Sequence, residues 1–438
     1  MDFTPLYEAV ADFSRRRGVW AELWGEASQG LSLERRDRRP YALESWKETS
    51  LAVRVVRKGK VGLSYTTRSE PEAVQEAAER AYEAALLAEE ETGLPEGVDL
   101  PEMPSFPLLA FPQPEELEAD LLFAEEAALA VSAEVHRLER TRLSCEEETF
   151  FIFQSQGVVA AFSRPLWSFL ITLVARRGEE ERTGWEWREA VHREELSLKD
   201  LARGAAEKAT ALLGARKIPS RRLPVLFPPE SAVALLETLA PSFCGDEVAK
   251  GRSRLAGRLG QKVFSPRLVL VDDGLYPSGL ETRPFDDEGA PQKRTVLVDQ
   301  GVVSSFLYDR LWGRRTGKTS TGNARRPSFK GPPRIAPTNL YLEPGEKTPE
   351  ELREGRPVFE VREMLGWHTA DPVSGDFSVG VSGLLYEVQG VRPLSGMALS
   401  GNLFELLARV EAVGRDLTFY GGLGAPSLLI PALDLSGA

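Results

Sequence analysis

The chain has 438 residues, with 54 Lys plus Arg against 66 Asp plus Glu and a formal net charge of −12. That acidic balance argues against general binding to nucleic acid or to anionic membranes. Hydrophobic residues make up 42%, which is enough for a sizeable core, and the length predicts two or three domains. The sequence contains no apolar run of about 18 residues and therefore predicts no transmembrane helix.

The first residues lack the basic start and the apolar core of a secretory signal peptide, and we therefore expect a cytoplasmic protein. The two cysteines, Cys145 and Cys244, give neither a disulfide framework nor a Cys-x-x-Cys metal pair, which suits a reducing compartment. Low contents of Asn, Cys and Met beside abundant Arg, Glu and Pro indicate a thermophilic source.

The first half of the chain alternates helical and strand patterns. Helices are predicted at 4–17, 71–93, 115–138 and 197–214, and strands at 19–24, 51–67, 142–154, 157–174 and 183–191. His136 then lies near the end of the third helix, where a cation suits the helix dipole. Pro and Gly crowd residues 94–114, a predicted linker. We predict an α+β domain over 1–215, sandwich-like with long helices, and leave open a division into two subdomains near 94–114.

The second half, 224–438, has a different character. After the basic boundary stretch 215–223, the sequence predicts one apolar helix opening at Pro229 and a last helix at 402–414. Short strands with Gly-containing turns are predicted at 267–272, 294–299, 302–308, 383–388, 391–394 and 427–431. Many non-local hairpins favour a β-rich, barrel-like domain with few helices. We detect no internal repeat.

The residues by themselves indicate no catalytic centre. The three histidines, His136, His192 and His368, cannot form a His-x-x-x-His pair, and they give no catalytic triad by spacing. His368 lies in a loop rich in Asp, Ser and Gly and is a candidate, although polar loop histidines are more often structural. Residues 313–319, Gly-Arg-Arg-Thr-Gly-Lys-Thr, have three residues between the glycines, where a phosphate-binding loop needs four.

Opposite charges concentrate in two stretches of the second half. Acids crowd 272–273 and 286–288, where they could bind a divalent cation, act as acid and base, or form turns and pair with arginines. We favour the last of these interpretations. Residues 310–334 hold eight basic residues and no acid. Because no array of aromatic residues accompanies them, we favour pairing inside the fold or with a protein partner over nucleic-acid binding.

Several longer segments point further, among them RPFDDEGAP (283–291), TVLVDQGVVSSFLYD (295–309), STGNARR (320–326), DPVSGDFSVGVSGLLYEVQG (371–390) and GGLGAPSLLI (421–430). In order and spacing these segments resemble the TldD/TldE family of metallopeptidases, in which TldE is also called PmbA and whose members are often labelled modulators of DNA gyrase. The resemblance implies an α+β N-terminal domain and a β-rich C-terminal domain.

TldD-type members of that family carry His-Glu-x-x-x-His on a helix, with the histidines as zinc ligands and the Glu activating water. Counted from Pro229, those positions fall on Glu237, Thr238 and Ser242. The Cys-bearing insertion of TldD-type chains is also missing, since residues 420–426 run straight on. The sequence therefore resembles the TldE/PmbA branch, which implies no metal in this chain and zinc in a TldD-type partner.

The resemblance implies a non-catalytic subunit of a cytosolic zinc metallopeptidase complex that degrades or trims peptides and unfolded segments. The chain would pair with a TldD-type subunit or form a homodimer. Loop residues of the family pattern are candidates for substrate or partner contacts, with tight turns as the alternative: Asp287, Gly289, Thr321, Gly322 and Asn323, together with His368. Two other functions stay open. One is a self-sufficient homodimeric peptidase or hydrolase with a non-standard site near His368 and the Asp loops, and the other is a DNA gyrase-modulating protein acting through 310–334.

Overall fold

The structure, a computed structural model, describes residues 2–88, 99–102, 106 and 109–437. The first half forms one antiparallel sheet of strand order β3-β2-β1-β4-β5-β6 with helices on one face. Its elements are α1 (Thr4–Arg17), β1 (Trp20–Arg36), β2 (Arg39–Arg57), β3 (Lys60–Thr66), α2 (Pro71–Leu87), α3 (Pro114–Leu129), β4 (Val135–Gln154), β5 (Val159–Arg177), β6 (Glu180–Ala190) and α4 (Leu198–Ala211).

The two faces of this sheet have different surroundings. Odd-numbered residues such as Leu23 and Val53 pack against α1 and α2, and Leu143 and Phe169 pack against α3 and α4. Side chains alternate along a strand, so the even-numbered residues in these parts of β1, β2, β4 and β5 point to the opposite face. At one end of that face Trp24 packs in a cluster with residues of the second half. The four described helices of the first half lie on the other side of the sheet, and we call this the open face.

The first half is an internal duplication of topology. The unit α1-β1-β2-β3-α2 recurs as α3-β4-β5-β6-α4, and the two units meet at the antiparallel pair β1–β4. In each unit the last helix lies on a glycine, because a Cβ on Gly62 would stand 1.9 Å from the Ala81 carbonyl oxygen and one on Gly184 2.0 Å from that of Ala205. The repetition was not detected in the sequence, where both units share the short segment Ala-Ala-Glu-basic-Ala at 77–81 and 205–209.

The second half contains two further sheets, of order β10-β9-β8-β13-β19-β18 and β16-β15-β14-β7-β20-β17, and the small pair β11–β12. Its elements are β7 (Arg221–Phe227), α5 (Pro229–Leu239), α6 (Gly245–Ala249), β8 (Leu270–Asp273), β9 (Arg294–Asp299), β10 (Val302–Val303), α7 (Arg310–Thr316), β11 (Ala324–Arg325), β12 (Arg334–Ile335), β13 (Leu340–Leu342), α8 (Pro349–Arg353), β14 (Val358–Leu365), β15 (Asp376–Glu387), β16 (Gly390–Asn402), α9 (Leu403–Ala408), β17 (Ala412–Val413), β18 (Thr418–Tyr420), β19 (Leu423–Ala425) and β20 (Leu428–Leu435).

The sheet that contains β16 curls back on itself. Ala398 of β16 and Ser436, just after β20, exchange two backbone hydrogen bonds of 2.9 Å, which gives the barrel-like closure predicted for this half. Helix α5 lies inside the same core, since Leu236 and Leu239 belong to one buried cluster with Phe227 and Phe359. The α+β class is confirmed.

Some predicted boundaries were wrong. Helix α3 ends at Leu129 and β4 begins at Val135, so His136 lies exposed on a strand that pairs with β5. The last predicted helix ends at Ala408, because residues 412–413 pair with β20. Most of the predicted linker 94–114 lies outside the described residues. In the described part of the chain, no helix combines the length and the apolar character needed to cross a membrane.

Candidate functional site

Helix α5 carries the positions at which the metallopeptidase motif would stand. Proline at its first turn fixes the start of the helix, and the apolar face of the helix is buried in the core. Glu237 is exposed on the opposite side. The indole Nε1 of Trp367 donates hydrogen bonds of 2.9 Å to Thr238 Oγ1 and to the Ala234 carbonyl oxygen. Ser242 is buried in the following 3-10 turn.

These residues do not fit a zinc ion. Zinc takes imidazole, thiolate or carboxylate ligands, whereas Thr238 and Ser242 present hydroxyls and the former is occupied by an indole. Among the described residues no three His, Cys, Asp or Glu side chains come together as a metal site. His368 is exposed in the turn Trp367–Thr369 and joins no such group. We therefore derive no metal-dependent step from this chain.

The acidic loop after β8 is used inside the fold. Asp286 accepts hydrogen bonds from the backbone N–H groups of Glu288 (2.9 Å), Ala290 (2.8 Å) and Ala324 (3.0 Å). Burial, and then the charge of Glu288, raise the pKa of Asp286. Asp287 accepts from Trp24 Nε1 and Arg283 Nη1, each at 3.1 Å. The acids thus form turns and pair with arginines, as we favoured from the sequence.

The remaining loop candidates hold tight turns. The backbone N–H of Tyr308 donates to Thr321 Oγ1 at 2.8 Å. Gly322 has a φ of +78°, and a Cβ there would lie 2.4 Å from the Pro291 carbonyl oxygen. Asn323 Nδ2 donates to Asp272 Oδ2 at 2.7 Å, and burial raises the pKa of that aspartate to about 6. Gly289 also has a positive φ, +71°.

The basic segment 310–334 is divided: Arg325 and Arg326 turn inward, whereas Arg314, Arg315, Lys318, Lys330 and Arg334 are exposed. Arg325 Nη2 lies 3.0 Å from Glu281 Oε2, and the fully buried Arg326 side chain reaches Glu22 Oε1 at 3.3 Å. The backbone N–H of Arg310 donates to Glu288 Oε2 at 3.0 Å. Pairing inside the fold therefore accounts for the central arginines. Residues 313–319 cover the end of α7 and its left-handed Gly317, so no helix N-terminus faces a phosphate there.

A cavity of about 480 Å³ lies where the open face of the first sheet meets the second half. Its wall combines four arginines with four acids, and each arginine pairs with an acid. The second half contributes Asp287 and, at the turn into β19, Gly422. The first half contributes Trp24, Glu26 and Phe150, with others; the full lining is Trp24, Glu26, Glu148, Phe150, Arg164, Glu281, Arg283, Asp287, Arg325, Arg326, Ala336, Pro337, Thr338, Gly422 and Leu423.

Of the predicted loop residues, only Asp287 is among those lining this cavity. The strand residues Trp24, Glu26 and Arg164 were missed by sequence reasoning. Their signal was the alternation of polar and aromatic residues along β1 and β5, but that alternation does not say which face meets a second domain. Burial and the neighbouring Glu148 raise the pKa of Glu26, so its carboxyl lies where negative charge accumulates.

Models of the PmbA/TldA metallopeptidase match three consecutive parts of the chain. Domain 1 matches residues 21–85, the central domain 107–213 and the C-terminal domain 220–437. The chain therefore belongs to the PmbA/TldD metallopeptidase family.

Similar proteins include one named PmbA and others named TldD homolog. Metalloprotease PmbA of Escherichia coli O157:H7 is 22% identical over 444 residues, which cover 99% of this chain and 96% of that protein. A TldD homolog of Haemophilus influenzae is 28% identical over 306 residues, covering 67% of this chain and 64% of that protein. The crystal structure of TldE from Thermococcus kodakarensis has the same fold, with a TM-score of 0.92 at 23% identity over 99% of this chain and 100% of that one.

A structure from Thermotoga maritima, described as a proposed modulator of a DNA gyrase, is also similar. It superposes with a TM-score of 0.90 at 26% identity, covering 99% of this chain and 100% of that chain.

Proposed function

We propose that this chain is the non-catalytic, TldE/PmbA-type subunit of a cytosolic two-chain metallopeptidase. A TldD-type partner would supply the zinc and the residues that activate water. The complex would degrade or trim peptides and unfolded segments. This chain would complete the substrate chamber and stabilise the catalytic partner.

The proposal rests on the residues that stand at the positions of the zinc-binding motif and on their surroundings. Glu237 is exposed, Thr238 is hydrogen-bonded to the Trp367 indole, and Ser242 is buried in a turn. None of these three side chains offers an imidazole to bind zinc. Without those ligands, these positions cannot hold the ion that would generate a metal-bound hydroxide. The turn between β18 and β19 also runs on without an inserted Cys.

The extent of the similarity supports the same branch. The match to PmbA extends over 96% of that protein, whereas the match to the Haemophilus TldD homolog covers 64% of it. The cavity of about 480 Å³ supports a role in holding substrate, because ligand sites of this size are common between domains. In that role Asp287 orients Arg283 and Trp24 in the cavity wall.

The test measures zinc content and casein cleavage for three samples: this chain, a TldD-type partner and their mixture. We expect stoichiometric zinc in the partner, none in this chain, and full cleavage only in the mixture. A partner that is fully active alone would overturn the supporting role. One zinc per chain with cleavage by this chain alone would overturn the non-catalytic assignment and favour a self-sufficient peptidase.

The matched control is a partner whose zinc ligands are replaced by alanine, mixed with this chain. It should pair but not cleave, which separates assembly from catalysis. Retention on immobilised DNA that weakens with salt would instead support the gyrase-modulating function.

A further inference from the structure

A second cavity lies on the open face of the first sheet, outside the family's motif positions. Its volume is about 240 Å³, and its wall is drawn from β2, β4, β5 and β6. The residues that define its chemistry are Trp46, Glu146, Leu166, Ser168, Trp187 and Glu189. It thus combines two indoles, two carboxyls and an aliphatic surface.

The two indoles lie on opposite sides of the cavity, and a hydrogen bond holds each of them. Trp46 crosses over Gly30 of the neighbouring strand, where a Cβ would lie 2.1 Å from its ring. Its Nε1 then donates to Glu146 Oε2 at 3.2 Å. On the far side Trp187 Nε1 donates to Ser168 Oγ at 3.2 Å. The missing side chain of Gly30 is therefore what lets an indole from β2 reach a carboxyl on β4.

Carboxyl groups outnumber cations around this cavity. Burial, with Glu148 next, raises the pKa of both Glu146 and Glu189 to about 7. Glu26 adds to the effect on Glu146, and Glu281 to that on Glu189. The opposing cation is Arg164, which is already bonded to Glu148 at 2.9 Å.

Arg142, the cation in the cavity wall itself, is directed elsewhere. Its Nε donates to Ser32 Oγ at 2.8 Å, and its Nη2 lies 3.7 Å from the exposed Glu44. The Glu189 carboxylate has no hydrogen-bond or ion-pair partner among the described residues. The carboxyls of the cavity are thus left facing a space that a cation would fill favourably.

We propose that this cavity binds a basic side chain, lysine or arginine, of an extended peptide, an inference that takes its peptide class from the proposed function. The aliphatic stem packs on Leu166 between the two indoles, as basic side chains do when they bury their methylenes. The charged head meets Glu146 and Glu189 and lies against the indole faces, which attract cations. The chain would thereby select basic segments for the complex.

The test uses this chain alone and calorimetric titration with acetylated, amidated Gly-Gly-Lys-Gly-Gly. The matched peptide has norleucine in place of lysine and so keeps the stem without the charge. We expect the lysine peptide to bind at least about tenfold more tightly, since hydrogen bonds to charged groups are worth more than a factor of this size. Equal binding of both peptides, or no binding of the lysine peptide, would overturn the proposal.

Two isosteric variants localise the binding. Glu146→Gln and Glu189→Gln should each remove most of the lysine preference, while Glu179→Gln, an exposed carboxyl in the turn before β6, should keep it. Variants that bind like the unchanged chain would place the lysine elsewhere and sink the assignment. Spermidine serves as a second probe: if it binds as tightly as the peptide, the site is a free-polyamine site.

The outcome is separate from that of the zinc and casein experiment. If the chain binds lysine selectively but does not affect cleavage by its partner, the cavity is a binding site for basic side chains and the subunit role is rejected. Cleavage that needs both chains, with no lysine preference, would do the reverse.

Discussion

At the scale of single residues, several carboxyl groups are partly buried, and burial disfavours their charged form. Glu189 projects from β6 into the indole-walled cavity and is held by no ion pair among the described residues. An ordinary glutamate has a pKa of 4.5, and that of Glu189 is raised to about 7, first by burial. Between these values the folded chain keeps a proton that the unfolded chain has released.

That difference fixes the sign of a pH effect. The stabilisation from the bound proton is present below the ordinary pKa and is lost as the pH rises through about 7. Glu189→Gln, which is always neutral, should therefore raise the thermal midpoint near pH 8 and leave it unchanged near pH 4. Thermal unfolding followed by circular dichroism at both pH values measures this.

Glu179→Gln is the control for that experiment, because its carboxyl is exposed in the adjoining turn. A Glu189→Gln midpoint that shifts equally at both pH values would mean that the effect is not one of ionisation.

The same residue scale shows why the site was only partly predictable. Asp287, Thr321 and Asn323 were found because they belong to segments that resemble a family. Glu146 and Glu189 belong to no motif, and their proximity depends on the register of three strands, in which Ser168 pairs with both Ser144 and Glu189. Registers between segments this far apart in sequence are set by long-range packing, which a local pattern does not contain.

At the scale of elements, the helices and hairpins with local signals were predicted well. Helices α1, α2 and α4 begin and end within a few residues of the expectation, apart from the predicted end of α2, which falls outside the described residues. The long strands were underestimated, since residues 25–50 complete β1 and β2 and had no assignment. Residues 39–50 are mostly exposed, so they lack the apolar alternation that identifies a half-buried strand.

Two equivalent helix–strand contacts, one in each unit of the first half, can be tested by the same substitution. Alanine at Gly62 would bring a methyl group within 1.9 Å of the α2 backbone, and alanine at Gly184 within 2.0 Å of the α4 backbone. Each substitution must push a helix off the sheet, and we expect each to lower the free energy of unfolding by about 1–3 kcal/mol. Urea unfolding gives the comparison.

Gly331→Ala supplies the reference, because a Cβ added at this glycine would meet nothing within 4 Å. We expect a change within about 0.5 kcal/mol there. If Gly62→Ala and Gly184→Ala were as mild as this reference, the close helix contacts would not be holding the sheet.

At the scale of the whole molecule, the two halves are joined through buried charges. Arg54 of β2 lies 2.7 Å from Glu22 of β1 and 3.1 Å from Glu288 of the acidic loop. Arg326 approaches the same Glu22 from the second half. Because all four side chains are removed from solvent, the loss of one leaves an opposite charge without compensation.

Arg54→Met tests this junction. It leaves Glu22 and Glu288 buried with less positive charge, and we expect it to lower the free energy of unfolding by about 3–5 kcal/mol. Arg39→Met, at the exposed start of the same strand, is the control and should change little. Equal effects of the two substitutions in urea unfolding would show that the buried pairs do not couple the halves.

The repeated unit of the first half has a consequence for the middle of its sheet. One copy alone would leave β1 as an unprotected edge, open to pairing with the same edge of another molecule. Such pairing is isologous, and it produces a twofold dimer with a continuous sheet. In this chain Ser28 pairs with Glu148 and Leu31 with Cys145 across that seam. The contact that two separate units would make between subunits lies here inside one polypeptide, so the two units carry different side chains on the open face.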